Sequence, residues 1–170
     1  MDQLFQPMHK VDSLFTVTEE STFWICAIIA DIIGDWWYVA CLTCNGSMVE
    51  TGSKYHCHSC RRTYDSGLYR YKMQVIVLDS SATASLLCFD RDTEILTGIP
   101  CHDLYRYFIE TREYAGDLPD ELGSLIDQTV LFRVRVKENQ VHKESSVFTV
   151  IGLETDPTLV ANYNMFTRER

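Results

Sequence analysis

Hydrophobic and polar positions along the chain change their period several times, and each change marks an element. Residues 21–31, STFWICAIIAD, are an apolar run rich in aromatic and β-branched side chains. The run is too short to span a bilayer and suits a strand buried on both faces. Gly34-Asp35 breaks it. In YRYKMQVIVLD, Tyr71, Met73, Val75 and Val77 alternate with Arg70, Lys72, Gln74 and Ile76, which predicts a second strand with one apolar and one basic, polar face. Ser80 to Thr83 turn the chain, and Ala84 to Phe89 complete an antiparallel hairpin as a third strand. In TVLFRVRVK, Val130, Phe132, Val134 and Val136 point one way while Leu131, Arg133, Arg135 and Lys137 point the other, a fourth strand with three basic residues on one face. A polar loop, ENQVHKESS, joins it to a fifth strand from Val147 to Leu153.

Between the third and fourth strands the period becomes helical in parts, with Asp103 to Ile109 following Pro100 and a short turn starting at Leu118-Pro119. Residues 1–20 read as a lead-in arm with one helical turn, whose Val11, Leu14, Phe15 and Val17 pack on the domain. After Asp156-Pro157 the chain predicts a final helix or arm over Thr158 to Phe166. Five strands with a helical connector between the third and fourth is the order of an OB-fold, an all-β dominated Greek-key barrel that closes on itself. The expected organisation is an arm at 1–20, the barrel at 21–154 and a C-terminal helix or arm at 155–170.

The cysteines add an insertion to this barrel. Cys41/Cys44 and Cys57/Cys60 are two Cys-x-x-Cys pairs separated by twelve residues, the spacing of a short hairpin that brings four sulfurs together. Four thiolates suit a tetrahedral structural Zn2+ and leave no open position for substrate. Asn45-Gly46 and Thr51-Gly52 supply the turns. The ribbon spans 38–64, between the first and second strands, and grows out of Trp36-Trp37-Tyr38-Val39-Ala40. His56 and His58 flank Cys57 as alternative ligands, but regular knuckle spacing favours the cysteines. Disulfides need an oxidising compartment, and no signal peptide or long apolar span stands at the N-terminus. Cys26, Cys88 and Cys101 sit in apolar surroundings and read as small core residues.

At 170 residues and 46% hydrophobic content the chain bounds one main domain with a metal-stapled appendage. A net charge of −9 by itself repels nucleic acid and membranes. The distribution changes that reading. Residues 90–127 carry ten acids against three arginines, a balance of −7. Residues 57–89 and 128–143 are locally positive, by 2 and by 3. Asp103, Glu110 and Glu113 lack a partner histidine in any recognisable arrangement and read as a solvated helix face. No nucleophile constellation and no H-x-E…P-C-x-x-C signature is visible, so an enzyme is not expected.

WYVAC with its four cysteines, YRYKMQVIVLD, LLCFDRD and FRVRVK occur in an order that resembles the C-terminal DNA-binding domain of the replication protein A large subunit, including its plant and transposon-associated relatives. The resemblance runs from about Val11 to Val160. It implies a zinc-ribbon OB domain that binds single-stranded DNA without strong sequence preference, nuclear, and part of a heterotrimer or a paralogous assembly. Replication, repair and recombination are the processes it points to. Arg70, Lys72, Arg133 and Arg135 are the candidate phosphate contacts, and Phe89 matches the family's base-stacking aromatic.

One departure stands out: the replication members carry a second aromatic four residues before Phe89, where this chain has Ser85. Trp24, Trp37 and Tyr64 are the aromatics available to compensate, although Trp24, Trp36 and Trp37 read first as packing residues. The same stacking and phosphate contacts would serve RNA. The competing expectation is an assembly module that keeps the fold with little nucleic-acid binding. In that reading the helix after the fifth strand joins replication protein A-type subunits or another protein through Val160, Tyr163 and Phe166.

Overall fold

The computed structural model describes residues 8–111 and 118–168, with side chains given for all of these except 111 and 164–168. In chain order, β1 (Met8–His9) is followed by a 3-10 turn (Val11–Phe15), β2 (Ser21–Ile33), β3 (Trp37–Ala40), β4 (Val49–Thr51), β5 (Lys54–Cys57) and β6 (Arg62–Tyr64). The second half runs β7 (Leu68–Leu78), β8 (Thr83–Phe89), α1 (Asp90–Thr97), α2 (Cys101–Thr111), α3 (Asp120–Gly123), β9 (Thr129–Val136), α4 (Glu138–Val141), β10 (Val147–Glu154) and α5 (Pro157–Arg168).

Five of these strands close a barrel. β2 pairs with β9, β9 with β10, β10 with β8, β8 with β7, and β7 returns to β2. All of those pairings are antiparallel except β8 with β10, where Ser85, Leu86 and Leu87 run parallel beside Val147, Phe148 and Thr149. This is the five-strand OB architecture that the element order predicts. Register shifts after Ile29 in β2 and after Val150 in β10 bend the two strands.

Strand alternation decides what enters the core. Tyr71, Met73, Val75 and Val77 are fully buried, as are Phe132, Val134 and Val136 of β9. Each such side chain contributes about 1.5–3 kcal/mol relative to exposure. Tyr71 keeps its polar tip satisfied by donating its hydroxyl to the Ile99 carbonyl oxygen at 2.8 Å.

The barrel ends are covered by the connecting pieces. Val11 and Leu14 of the 3-10 turn are buried in the core. Asp79 anchors that turn: its carboxylate accepts from Val11 N at 2.9 Å and from Ser81 N at 2.7 Å. Leu104 of α2, Leu122 of α3 and Leu125 enter the same core from the acidic connector.

Several elements differ from the sequence reading. β2 runs on to Ile33, β1 pairs with it in parallel, and residues 138–141 of the polar loop are a short helix. α1 begins directly after Phe89, with Asp90 and Asp92 in the first turn favoured by the helix dipole. It ends at Gly98, whose left-handed φ of 74° lets its N–H bond the Glu94 carbonyl at 2.7 Å. Leu131 leaves the inner face as predicted, yet it is buried, because α5 covers that patch. Val160 and Tyr163 pack there against Trp24, Cys26 and Leu131, so these two residues of the expected intersubunit seam contact their own barrel. The side chain of Phe166 lies outside the described residues.

Candidate functional site

Two sites come from this frame, one in the ribbon and one on the barrel wall. β3 pairs with the start of β7, and the chain between them builds a separate three-stranded sheet, β4-β5-β6. Each Cys-x-x-Cys pair forms a knuckle. Asn45 N donates to the Cys41 carbonyl at 3.0 Å and Arg61 N to the Cys57 carbonyl at 2.7 Å, and both turning residues take positive φ, 64° and 58°. Backbone N–H groups then point at sulfur: Thr43 N at Cys41 Sγ, Gly46 N at Cys44 Sγ and Cys60 N at Cys57 Sγ, each at 3.4 Å. A Cβ on Gly46 would stand 3.3 Å from Cys44 Sγ, a tight contact that would crowd the sulfur.

The four sulfurs all lie within 4.8 Å of one another. Cys41 Sγ and Cys60 Sγ are 3.8 Å apart, and Cys44 Sγ and Cys57 Sγ 3.6 Å. A tetrahedral ion with bonds of about 2.3 Å to sulfur sets its ligands about 3.8 Å apart. The donor set therefore fits a metal ion of that geometry, as its spacing predicts.

Proton affinity is unequal across the four sulfurs. Burial acts to raise the Cys41 thiol, but the Cys44 and Thr43 N–H groups, with Tyr64 and Cys57, bring it down to about 6. Hydrogen bonding to Cys44, then burial and the other two sulfurs, pushes Cys60 up to about 12. Together Cys41, Met48 and Cys57 are the buried core of the whole ribbon. His56 and His58 pair with each other, ring centroids 5.0 Å apart, and neither belongs to the four-sulfur group.

At the foot of the ribbon a close backbone approach goes unmarked in the sequence pattern. A Cβ on Gly67 would lie 2.3 Å from Val39 Cγ1, 2.6 Å from Met48 Cε and 3.2 Å from the Ala40 carbonyl oxygen.

The second site is the outer wall of β7, β8, β10 and β9. Residues that leave the core share it. Lys72 stands opposite Phe89, Gln74 opposite Leu87, and Thr149 lies beside Leu87 and opposite Arg135. Arg133 stands opposite Gly152, and a Cβ there would be 3.6 Å from Arg133 Cβ, so the arginine lies over a bare backbone. Four of the five candidate contacts thus leave the core for the outside of the barrel, Lys72 and Phe89 directly opposed and Arg133 and Arg135 on β9, two strands from Phe89. Phe89 is 40% exposed although large and apolar.

Arg70 projects on the same side of β7, but it bonds Asp90 at 3.4 Å, and Asp90 also accepts from Tyr71 N at 2.9 Å. Its guanidinium is accordingly held at the start of α1. Arg135 reaches Glu20 at 3.9 Å, an exposed pair of little energetic weight.

The three aromatics considered as substitutes lie elsewhere. Trp24 is buried under α5, Trp37 stands opposite inward-facing Tyr71 and packs on Tyr69 and Tyr105, and Tyr64 bonds Thr43 Oγ1 at 2.8 Å beside the sulfurs. Tyr38, which the sequence pattern does not single out, stands directly opposite Arg70 on the outward side. Its position in β3 follows from strand register, and only the alternation of Trp37-Tyr38-Val39 hints at it.

Comparison with known proteins bears on both sites. The chain is 31% identical over 109 residues to a replication protein A 70 kDa DNA-binding subunit of Arabidopsis thaliana, a match that covers 64% of this chain and 18% of that protein. The counterpart in Oryza sativa subsp. japonica is 34% identical over 112 residues, covering 64% and 17%. The chain thus corresponds to under a fifth of the length of these relatives. A solved replication protein A heterotrimer bound to single-stranded DNA shares the fold, with a TM-score of 0.76, 18% identity, and coverage of 95% of this chain and 39% of that one. The family model of the replication factor-A C terminal domain matches residues 23–159, from β2 into α5, and takes in the ribbon and the outer wall alike. By that match the chain belongs to the replication factor-A C terminal domain family.

Proposed function

We propose that this domain binds single-stranded nucleic acid, DNA in the first instance, along the outer wall of β7, β8, β10 and β9. The observation that carries the reading is the direct opposition of the exposed Phe89 and Lys72, with Arg133 and Arg135 pointing outward two strands further round the barrel. A single strand needs cations to follow its phosphates and a ring for a base to stack on, and neither requirement reads sequence. Arg70 contributes when a phosphate competes with Asp90 for its guanidinium. The four-cysteine site holds Zn2+ as a structural ion, through Cys41, Cys44, Cys57 and Cys60. When bound, the ion supplies folding energy to a ribbon whose buried cluster is only Cys41, Met48 and Cys57. No catalytic step is assigned. Replication, repair or recombination in the nucleus goes with this role.

The net charge of −9 and Ser85 favour a second reading, in which the fold serves subunit assembly through α5 and binds DNA weakly. One titration separates the two. Zinc-loaded protein is titrated by fluorescence anisotropy against a labelled poly-dT oligonucleotide at low and physiological salt, with duplex DNA and poly-U as controls. Saturable, salt-sensitive binding that exceeds the duplex supports the first reading. Absence of binding at low salt leaves the assembly reading, checked by sedimentation with related subunits.

A further inference from the structure

We propose that Tyr38, on the stem of the ribbon, is a second base-stacking residue that offsets the serine at position 85. The proposal rests on the nucleic-acid reading of the outer wall and extends that wall beyond the barrel. β7 is flanked on one edge by β8 and on the other, at its start, by β3. Lys72 faces Phe89 across the first edge, and Arg70, two residues earlier on the same side of β7, faces Tyr38 across the second. Directly opposed residues project to the same side of a sheet. The outward surface therefore runs Phe89, Lys72, Arg70, Tyr38, with an aromatic ring at each end and two cations between.

Two strand spacings and a two-residue rise separate the rings by about 12 Å. That is about two nucleotide steps along an extended strand, with Lys72, and Arg70 once a phosphate draws it from Asp90, placed for the intervening phosphates. The Tyr38 ring is also held ready. Its hydroxyl donates to the Asn45 carbonyl oxygen at 3.0 Å, tying it to the first knuckle, and the side chain is only partly buried. The conformational freedom lost on binding is correspondingly small. By contrast Ser85, opposite Ile76, offers no ring where the family's second aromatic would stand. The track is thus shifted toward the ribbon.

The test uses the whole zinc-loaded chain and the poly-dT titration, with Tyr38→Ala, Tyr38→Phe and Phe89→Ala, and zinc content measured for each. Tyr38→Ala is expected to weaken binding about tenfold or more at both salt concentrations, with zinc retained. Tyr38→Phe, which keeps the ring and loses the Asn45 bond, is expected to stay within about threefold of the parent. Photocrosslinking of an iodouracil-substituted oligonucleotide is expected to label the peptide carrying Tyr38 as well as that carrying Phe89. If Phe89→Ala weakens binding and Tyr38→Ala does not, the inference falls and the outer-wall reading stands. Equal losses in Tyr38→Ala and Tyr38→Phe would reduce Tyr38 to a brace for the knuckle and overturn the proposal. A parent that binds no oligonucleotide sinks the outer-wall reading and this inference with it.

Discussion

Lys72 and Phe89 are directly opposed across β7 and β8, so a cation and an exposed ring share one patch of the outer wall. Their contributions separate experimentally. Phe89→Ala is expected to cost roughly 1–3 kcal/mol of oligonucleotide affinity at every salt concentration, because stacking is insensitive to counterions. Lys72→Ala is expected to flatten the dependence of log affinity on log salt by about 0.7, one phosphate contact on a single strand. Anisotropy titrations at several salt concentrations read both effects. A Lys72→Ala line parallel to the parent's would remove Lys72 from the phosphate track.

Gly67 sits where the ribbon meets the barrel, and its α-carbon has no room for a methyl group beside Val39, Met48 and the Ala40 carbonyl. Gly67→Ala is expected to destabilise the domain by about 1–3 kcal/mol, the range for forced overpacking. Thermal unfolding followed by circular dichroism shows this as a lowered Tm. An unchanged Tm would mean that the ribbon stem yields freely.

Metal removal is expected to act on the ribbon first. Cys57→Ser, or chelation of the parent, is expected to abolish the ordered signals of residues 41–64 in an amide NMR spectrum while those of the barrel strands persist. Collapse of the whole spectrum would show that barrel and ribbon fold as one unit.

On the proposed structural-zinc reading, affinity for the ion is expected to depend on pH through the thiols. The Cys60 thiol, raised to about 12, is protonated at neutral pH without metal and must release its proton to ligate. Cys41, lowered to about 6, is already a thiolate above that pH and takes up a proton below it. Apparent affinity is therefore expected to rise with pH from 6 to 8, by about tenfold per pH unit for each proton released on binding. Competition with a chromophoric chelator measures it, and a flat profile would contradict ligation by protonated thiols.

Asp79 ties the N-terminal turn to the β7–β8 turn. Asp79→Ala strands the Val11 N–H beside a buried side chain and is expected to cost about 1–3 kcal/mol. Hydrogen exchange at Val11 should accelerate well before that of the barrel strands. Uniform acceleration would make the effect global.

How much of the fold and site is legible in the sequence follows from the range of the signals. Alternation along 69–79 and 129–137 is local, and it orients Lys72, Arg133 and Arg135 correctly. The four cysteines carry their own spacing. Arg70 reads the same as Lys72 in the pattern, yet Asp90, twenty residues on, takes its guanidinium. Leu131 alternates with the arginines and is buried because α5 lies over it. Tyr38 and Gly67 depend on which strands become neighbours, and no local period encodes that. The family resemblance conveys the strand order but carries no register for residues that differ from the family, as Ser85 does.

The parallel pairing of β8 with β10 has a consequence for the order of events during synthesis. Ser85 meets Val147 only after the whole connector and β9 have emerged, so the barrel closes on its last strand. Contacts so distant along the chain form late. The ribbon, whose four cysteines span residues 41–60, has its whole donor set in hand while the ribosome is still translating the acidic helices. The surface joining Phe89 to Arg133 and Arg135 comes into being in one step at the end, so the four cysteines of a nascent chain can meet before the outer wall is complete.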